Sequence, residues 1–333
     1  MNDLEPGAAR YDSALGAWLL TSHADVVAAL REPRLAVTGT AVEGHTAHLA
    51  VREANTEVFP PARLSALRAE IATPAHALAR NLPTDQPIDL VGAFALPWSL
   101  ALAVTATGAP LADADRLAGL ARQVFLAAAG STSGEPEPAA QAAATELARC
   151  FPGEGASIAV QAFVALTNSL PFFLAGAWHE LFRHPEEALR LRADAGLMPR
   201  AIEELLRYAS PARAVFRLAL APVSIGSACI GARERVVLML SAANRDPAQF
   251  SDPDRLDISR GAQAHLAFGR GAHSCSGAQL IRLAAAVATD ALLRATDAVE
   301  PVGQVDWIGG FAIRAPATLP VVLRRESGGR LHP

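Results

Sequence analysis

Apolar residues recur at helical spacing along most of the 333-residue chain and alternate with polar ones over only a few short stretches. The run 16–21 (GAWLLT) predicts a short strand. A helix follows with Ser22 as its cap and Val26, Val27 and Leu30 on one face. A Gly- and Thr-containing loop is expected over 35–46, and another helix begins at His48. Helical patterns then cover 62–82, 100–108 and 112–129, with breaks at Pro83, Pro87, Pro97 and Pro110. The string GSTSGEPEP at 130–138 reads as a connection, 139–151 as a helix, and 158–183 as one long, strongly apolar helix. Shorter helices are expected at 186–193 and 199–210, and a last one after Gly277. Further short strands are expected around 212–220, 223–230, 236–240 and 317–323. The pattern therefore predicts a mainly α fold with a small β region, in a single domain over 1–333 with 324–333 as a tail.

Composition narrows this picture. Apolar residues make up 51% of the chain, enough for a sizeable core. The segment 158–178 is long enough to cross a bilayer, but Gln161, Thr167, Asn168, Ser169 and Pro171 interrupt it, so a buried central helix is expected. The net charge of -4 is too small to call for nucleic acid or an anionic membrane as a partner. Every one of the 29 basic residues is arginine, a bias with little functional weight. Cys150, Cys229 and Cys275 are few and scattered, which argues against a disulfide framework and for a reducing compartment. With no signal-like succession at the N-terminus, a cytoplasmic location without a membrane anchor is expected.

Candidate chemistry concentrates in 268–282, FGRGAHSCSGAQLIR, where Gly269, Gly271 and Gly277 surround Cys275 just before a helix-forming run. A helix start lowers a thiol pKa, and glycines let the backbone lie close to a flat partner. A large planar cofactor with a metal at its centre suits such a site. The string F-G-x-G-x-H-x-C-x-G-x-x-L-x-R resembles the haem-binding loop of the cytochrome P450 family, in which the cysteine is the axial iron ligand.

The resemblance implies the cytochrome P450 fold, haem b as cofactor and Cys275 as its metal ligand, with Phe268, Gly269 and Gly277 in the proximal wall. It also implies propionate contacts from His48 and Arg52, four residues apart on one helix, and from Arg217 and His273. Residues 165–169 (ALTNS) fall where the family carries A-G-x-[D/E]-[T/S]. Leu166 replaces the glycine and Asn168 the acid, while Ser169 keeps the alcohol. Ser169 and Asn168 are thus the distal catalytic candidates, although Thr167, Asn168 and Ser169 could equally satisfy helix carbonyls near Pro171. Glu204 and Arg207 match the family's internal E-x-x-R pair, with Arg255 expected as its third member. Pocket walls are expected from 212–216 and 309–311, and His265 is expected to be only a loop residue. The family's usual first helix and its substrate lids look absent or short here, which implies a wide pocket.

The activity this implies is that of a haem-thiolate monooxygenase acting on a small-molecule metabolite of secondary metabolism, free or carrier-bound. Ferredoxin and a ferredoxin reductase would supply its electrons, with Arg270 on the docking side. Leu166 and Asn168 motivate an alternative, atypical chemistry such as rearrangement, dehydration, peroxide use or nitrogen chemistry. A haem-bearing recruitment protein is a third alternative.

Overall fold

The computed structural model describes residues 5–37, 59–130, 138–151, 156–260 and 264–325. His48 and Arg52 lie outside the described residues.

The N-terminal third supplies both edges of the main sheet. Strands β1 (Arg10–Asp12) and β2 (Ala17–Leu20) form a hairpin, and helix α1 (His23–Arg31) follows, its Asp25 N–H capped by the Ser22 hydroxyl at 3.2 Å. Residues Leu35–Val37, expected in a loop, form strand β3 instead. Their extended backbone completes the sheet by pairing with the 212–220 segment, a long-range partner that local composition does not reveal.

Helix α2 (Pro61–Arg80) is followed by strand β4 (Pro87–Asp89) and then helix α3 (Leu96–Thr107), which is entered through a π-turn at Val91–Ala95. Pro97 therefore opens α3 and does not break it, since the first helical turn has no intrahelical use for the missing N–H. Helices α4 (Ala114–Gly130) and α5 (Pro138–Arg149) lead to the long α6 (Ala156–Arg183). Then come α7 (Pro185–Ala193) and α8 (Met198–Ala209). The small strands β5 (Ala214–Ala219), β6 (Val223–Ile225), β7 (Ala228–Ile230) and β8 (Arg235–Met239) precede α9 (Ala278–Ala295). Strands β9 (Ala298–Pro301), β10 (Trp307–Gly309), β11 (Arg314–Pro316) and β12 (Pro320–Arg324) end the described chain.

The main sheet runs β1-β2-β8-β5-β3, with β2 and β8 parallel and the other pairs antiparallel. The pairs β6/β7 and β10/β11 and the three-stranded β4-β12-β9 are smaller.

The second half of helix α6 is apolar nearly all round because it is surrounded by protein. The stretch from Leu170 to Trp178 is continuously buried. Trp178 stacks on Phe94 with ring centroids 5.4 Å apart and donates its indole N–H to Thr289 of α9 at 3.1 Å. The indole is therefore both packed and satisfied. By length and hydropathy α6 could cross a membrane, but its apolar surface is the core of this fold.

Behind this core sits the E-x-x-R pair. Glu204 and Arg207 exchange two bonds of 2.8 Å with side chains that are fully buried. Arg207 also donates to the carbonyls of Asn244 (2.9 Å), Pro253 (2.7 Å) and Arg255 (3.2 Å), so all its donor directions are used. The expected third member is corrected. Arg255 contributes only its carbonyl while its side chain is exposed, and Arg260 reaches Glu204 Oε1 at 3.1 Å. The chain turns at Asp252–Arg255 and again at Asp257–Arg260, where the Arg255 and Arg260 N–H groups donate to the Asp252 and Asp257 carbonyls, and this brings position 260 inward.

Candidate active site

One cavity of about 380 Å³ collects most of the predicted site residues. Cys275, Phe268, Gly269, Gly277, His273, Arg217 and Ser169 all line it. Its remaining wall is chiefly aliphatic and aromatic, including Phe59, Phe125, Leu166, Phe173, Val215 and Ile313.

The cysteine loop owes its shape to left-handed glycines. Gly269 has φ +63° and Gly271 has φ +73°, and a Cβ at Gly271 would stand 2.7 Å from the Leu30 carbonyl at the end of α1. Only glycine allows that turn and that approach together. The loop then closes on itself, with the Cys275 N–H donating to the Phe268 carbonyl at 2.8 Å. Gly277 has an ordinary backbone, and a Cβ there would meet only the Cys275 sulfur, at 3.9 Å. What that glycine leaves free is cavity wall beside the sulfur, as a flat group lying over the thiol requires.

Opposite the loop, α6 widens into a π-turn at Ala165–Ser169. The wider turn strands carbonyls of the preceding turn, and polar side chains take them up. Thr167 Oγ1 donates to the Phe163 carbonyl at 2.8 Å, and Asn168 Nδ2 donates to the Val164 carbonyl at 3.0 Å and to Thr167 Oγ1 at 3.2 Å. Asn168 is 1% exposed and is not among the residues lining the cavity. Its amide serves the helix, the alternative that the sequence left open for it. Ser169 lies in the wall, as does Leu166, whose side chain fills space that a glycine would leave open.

Arg217, on β5, is 5% exposed and donates Nη1–H to the Phe216 carbonyl at 2.8 Å. It is the one charged side chain among the described lining residues apart from the titratable His273. Of the expected pocket segments, Ala212 and Val215 line the cavity, whereas Gly309, Gly310 and Phe311 do not. Ile313 takes their place because the Gly309–Ile313 turn folds back, with the Gly310 N–H donating to the Ile313 O at 2.7 Å. Gln161 and Phe125 also line the cavity. Their positions on predicted helices were legible, but the side those helices present was not.

On the outer side of the loop a second cleft is lined by Arg31, His265, Phe268, Arg270, Cys275 and Arg282, among others. His265 lies on the loop as expected, and its ring is engaged. It is 6% exposed, and its ring meets Glu203 Oε2 at 3.1 Å. Arg282 forks onto the same carboxylate at 2.5 and 3.0 Å. Burial alone would push the Glu203 carboxyl up, but these hydrogen bonds outweigh it and hold the group at about 2. The adjacent acidic pair Glu203-Glu204 was the available signal.

The family model for cytochrome P450 matches residues 184–301. Pentalenic acid synthase of Streptomyces avermitilis is 30% identical over 323 residues, covering 88% of this chain and 79% of the relative. Cytochrome p450 CYP199A2 of Rhodopseudomonas palustris is 39% identical over 150 residues, which span 45% of this chain and only 36% of that relative. Among solved structures, P450BioI in complex with hexadec-9Z-enoic acid ligated acyl carrier protein superposes with a TM-score of 0.82 at 25% identity, covering 92% of each chain.

The fold and the cysteine loop thus define a haem-thiolate architecture. This chain belongs to the cytochrome P450 family, an oxidoreductase family that binds haem b.

The residues present fit that group. A thiol stands in an apolar wall with room beside it at Gly277, and a buried guanidinium at Arg217 suits a carboxylate at the same cavity.

Proposed function

We propose that the chain is a monooxygenase in which Cys275 is the axial ligand of haem b and Arg217 and His273 hold its carboxylates. His48 and Arg52 complete that set in this reading. The observation that carries it is the meeting of Cys275, Arg217, His273 and Ser169 on one otherwise apolar cavity. When bound, a thiolate-ligated haem supplies the electron density that favours O–O cleavage and oxygen transfer to a substrate.

The protein's own residues then have distinct tasks. The Phe268 carbonyl, by accepting the Cys275 N–H, fixes the backbone from which the ligand projects. Leu166, Phe173 and Val215 exclude water and orient an apolar or amphipathic substrate. Ser169 offers the distal hydroxyl for proton delivery, and Thr167 and Asn168 keep the widened helix satisfied. A metabolite of secondary metabolism is the substrate class we favour, by analogy with pentalenic acid synthase, and the acyl carrier protein in the P450BioI complex supports a carrier-bound form. An acidic ferredoxin, reduced by its reductase, would dock over the arginine-lined outer cleft. We place the chain in the cytoplasm as a single domain.

The test is the absorption spectrum of the dithionite-reduced protein under carbon monoxide, beside a Cys275→Ala control. A strongly red-shifted Soret band absent from the control is expected; an identical carbonyl spectrum in both proteins rejects Cys275 as the ligand.

A second reading rests on a specific feature: no carboxylate lines the cavity among the described residues. Without one, proton delivery on the distal side would depend on Ser169 and solvent, which favours chemistry other than ordinary dioxygen activation. Oxygen consumption coupled to product with ferredoxin and reductase counts against that reading. A gain of such coupling in a Leu166→Gly, Asn168→Asp double variant of an inactive protein supports it.

A further inference from the structure

Glu203, His265 and Arg282 do not themselves line the distal cavity; the cluster is built around the cysteine loop. The backbone N–H of Ala267 donates to His265 Nδ1 at 3.2 Å, so the ring proton of the neutral imidazole belongs on Nε2, which faces Glu203 Oε2 at 3.1 Å. Glu203 is thereby oriented from one side by His265 and from the other by the two donors of Arg282, at 2.5 and 3.0 Å. The guanidinium held in this way lies 4.7 Å from the centroid of the Phe268 ring, and the His265 ring is 5.9 Å from the same centroid. Phe268 is the residue whose carbonyl receives the Cys275 N–H at 2.8 Å. Arg282, Phe268 and Cys275 all line the outer cleft, and Arg282 lies in the second turn of α9, seven residues beyond Cys275.

An ordinary exposed ion pair would have no reason for this construction. A lone Arg282–Glu203 contact with 30% and 22% of its side chains exposed would contribute little stability. Here, however, the pair has a third member with a fixed tautomer, and the cation is laid on one particular ring. A fixed positive charge near a thiolate-ligated centre favours the state with one more electron, and hydrogen bonding and charge around such a ligand are recognised levers on its potential.

We infer that Glu203 and His265 are positioning residues that hold the Arg282 guanidinium beside the Cys275 loop, and that this placed charge raises the reduction potential of the bound haem iron. The inference rests on the reading that Cys275 is the iron ligand.

The experiment is a spectroelectrochemical titration of the haem-loaded protein, with the carbonyl spectrum recorded on each sample. Arg282→Gln removes the charge and is expected to lower the potential. Arg282→Lys keeps the charge but loses the flat, two-point placement, so an intermediate potential is expected. Glu203→Asp leaves the net charge unchanged and draws Arg282 away, so a lowered potential there reads placement alone. The same variant serves should Arg282→Gln fail to fold. Wild-type potentials in Arg282→Gln, or in Glu203→Asp where the former does not fold, with the thiolate-type carbonyl band intact, overturn the inference. A wild-type protein lacking that band overturns the ligand reading beneath it, and the inference falls with it.

Discussion

Glu203 and Glu204 are adjacent on α8, and a helix turns them about 100° apart, so each meets a different medium. Glu204 points into full burial, where Arg207 and Arg260 satisfy it and Arg207 in turn holds three carbonyls of the 244–255 segment. Glu203 reaches a partly buried cluster under the cysteine loop. Two glutamates of equal charge therefore do different work. The buried one ties three stretches of backbone together and cannot lose a partner cheaply, because an uncompensated charge there has no water to fall back on. The outer one can be altered at little structural cost, which suits a residue that adjusts a neighbouring group.

The largest way to break this contrast is Arg207→Leu. It takes two bonds from the buried Glu204 carboxylate, leaving Arg260 as its remaining cation, and strands the carbonyls of Asn244 and Pro253, so about 3–5 kcal/mol of stability should be lost, or folding altogether. Denaturant unfolding gives the comparison: an unchanged midpoint would mean that the pair is not the internal lock described above. Arg260→Ala comes next. Arg260 bonds Glu204 Oε1 and the carbonyls of Ser251, Asp252 and Arg255, but its side chain is 12% exposed, so water replaces part of what is removed. A loss of about 1–3 kcal/mol is expected, and a loss matching that of Arg207→Leu would erase the distinction between core and rim of the lock.

These two variants also mark where the sequence was legible. The cysteine loop, the E-x-x-R pair and the long central helix could be read directly, because each is a local pattern whose chemistry fixes its spacing. The third lock member could not. Position 255 or 260 is decided by the two backbone turns at Asp252–Arg255 and Asp257–Arg260, and no local periodicity encodes which arginine those turns bring inward. Asn168 was ambiguous for a related reason. Its amide could serve a substrate or a carbonyl, and the π-turn at Ala165–Ser169, which creates the needy carbonyls, arises from packing around α6. Strand β3 escaped notice because three residues carry too little pattern, and β5 supplies the pairing from far along the chain.

A third, smaller effect sharpens the contrast on the outer side. The Glu203 carboxyl is lowered from 4.5 to about 2, because the hydrogen bonds from His265 and Arg282 outweigh the upward push of burial. A depressed folded-state pKa means a contribution that is fully present above the unfolded value and lost as pH falls toward the folded one. Wild type should therefore exceed Glu203→Gln in stability at neutral pH, with the gap closing between about pH 4.5 and pH 2. Unfolding measured across that window checks it. A gap independent of pH would mean that the ionised carboxylate is not what the cluster uses.

The smallest expected effect is the one that most cleanly separates the lock from its surroundings. Arg255 lies in the DPDRL string that invites its assignment to the lock, yet its side chain is exposed and only its carbonyl takes part, accepting from Arg207 and Arg260. Alanine at 255 retains that carbonyl and the turn that presents it. Arg255→Ala should therefore change stability by no more than about 0.5 kcal/mol, as for an ordinary surface substitution. Measured beside Arg260→Ala in the same denaturant series, a large loss at 255 with none at 260 would transfer the third place in the lock back to Arg255. The opposite result, a loss confined to 260, would mean that the lock recruits its outer arginine through the fold of the 253–260 turns and not through its place in the string.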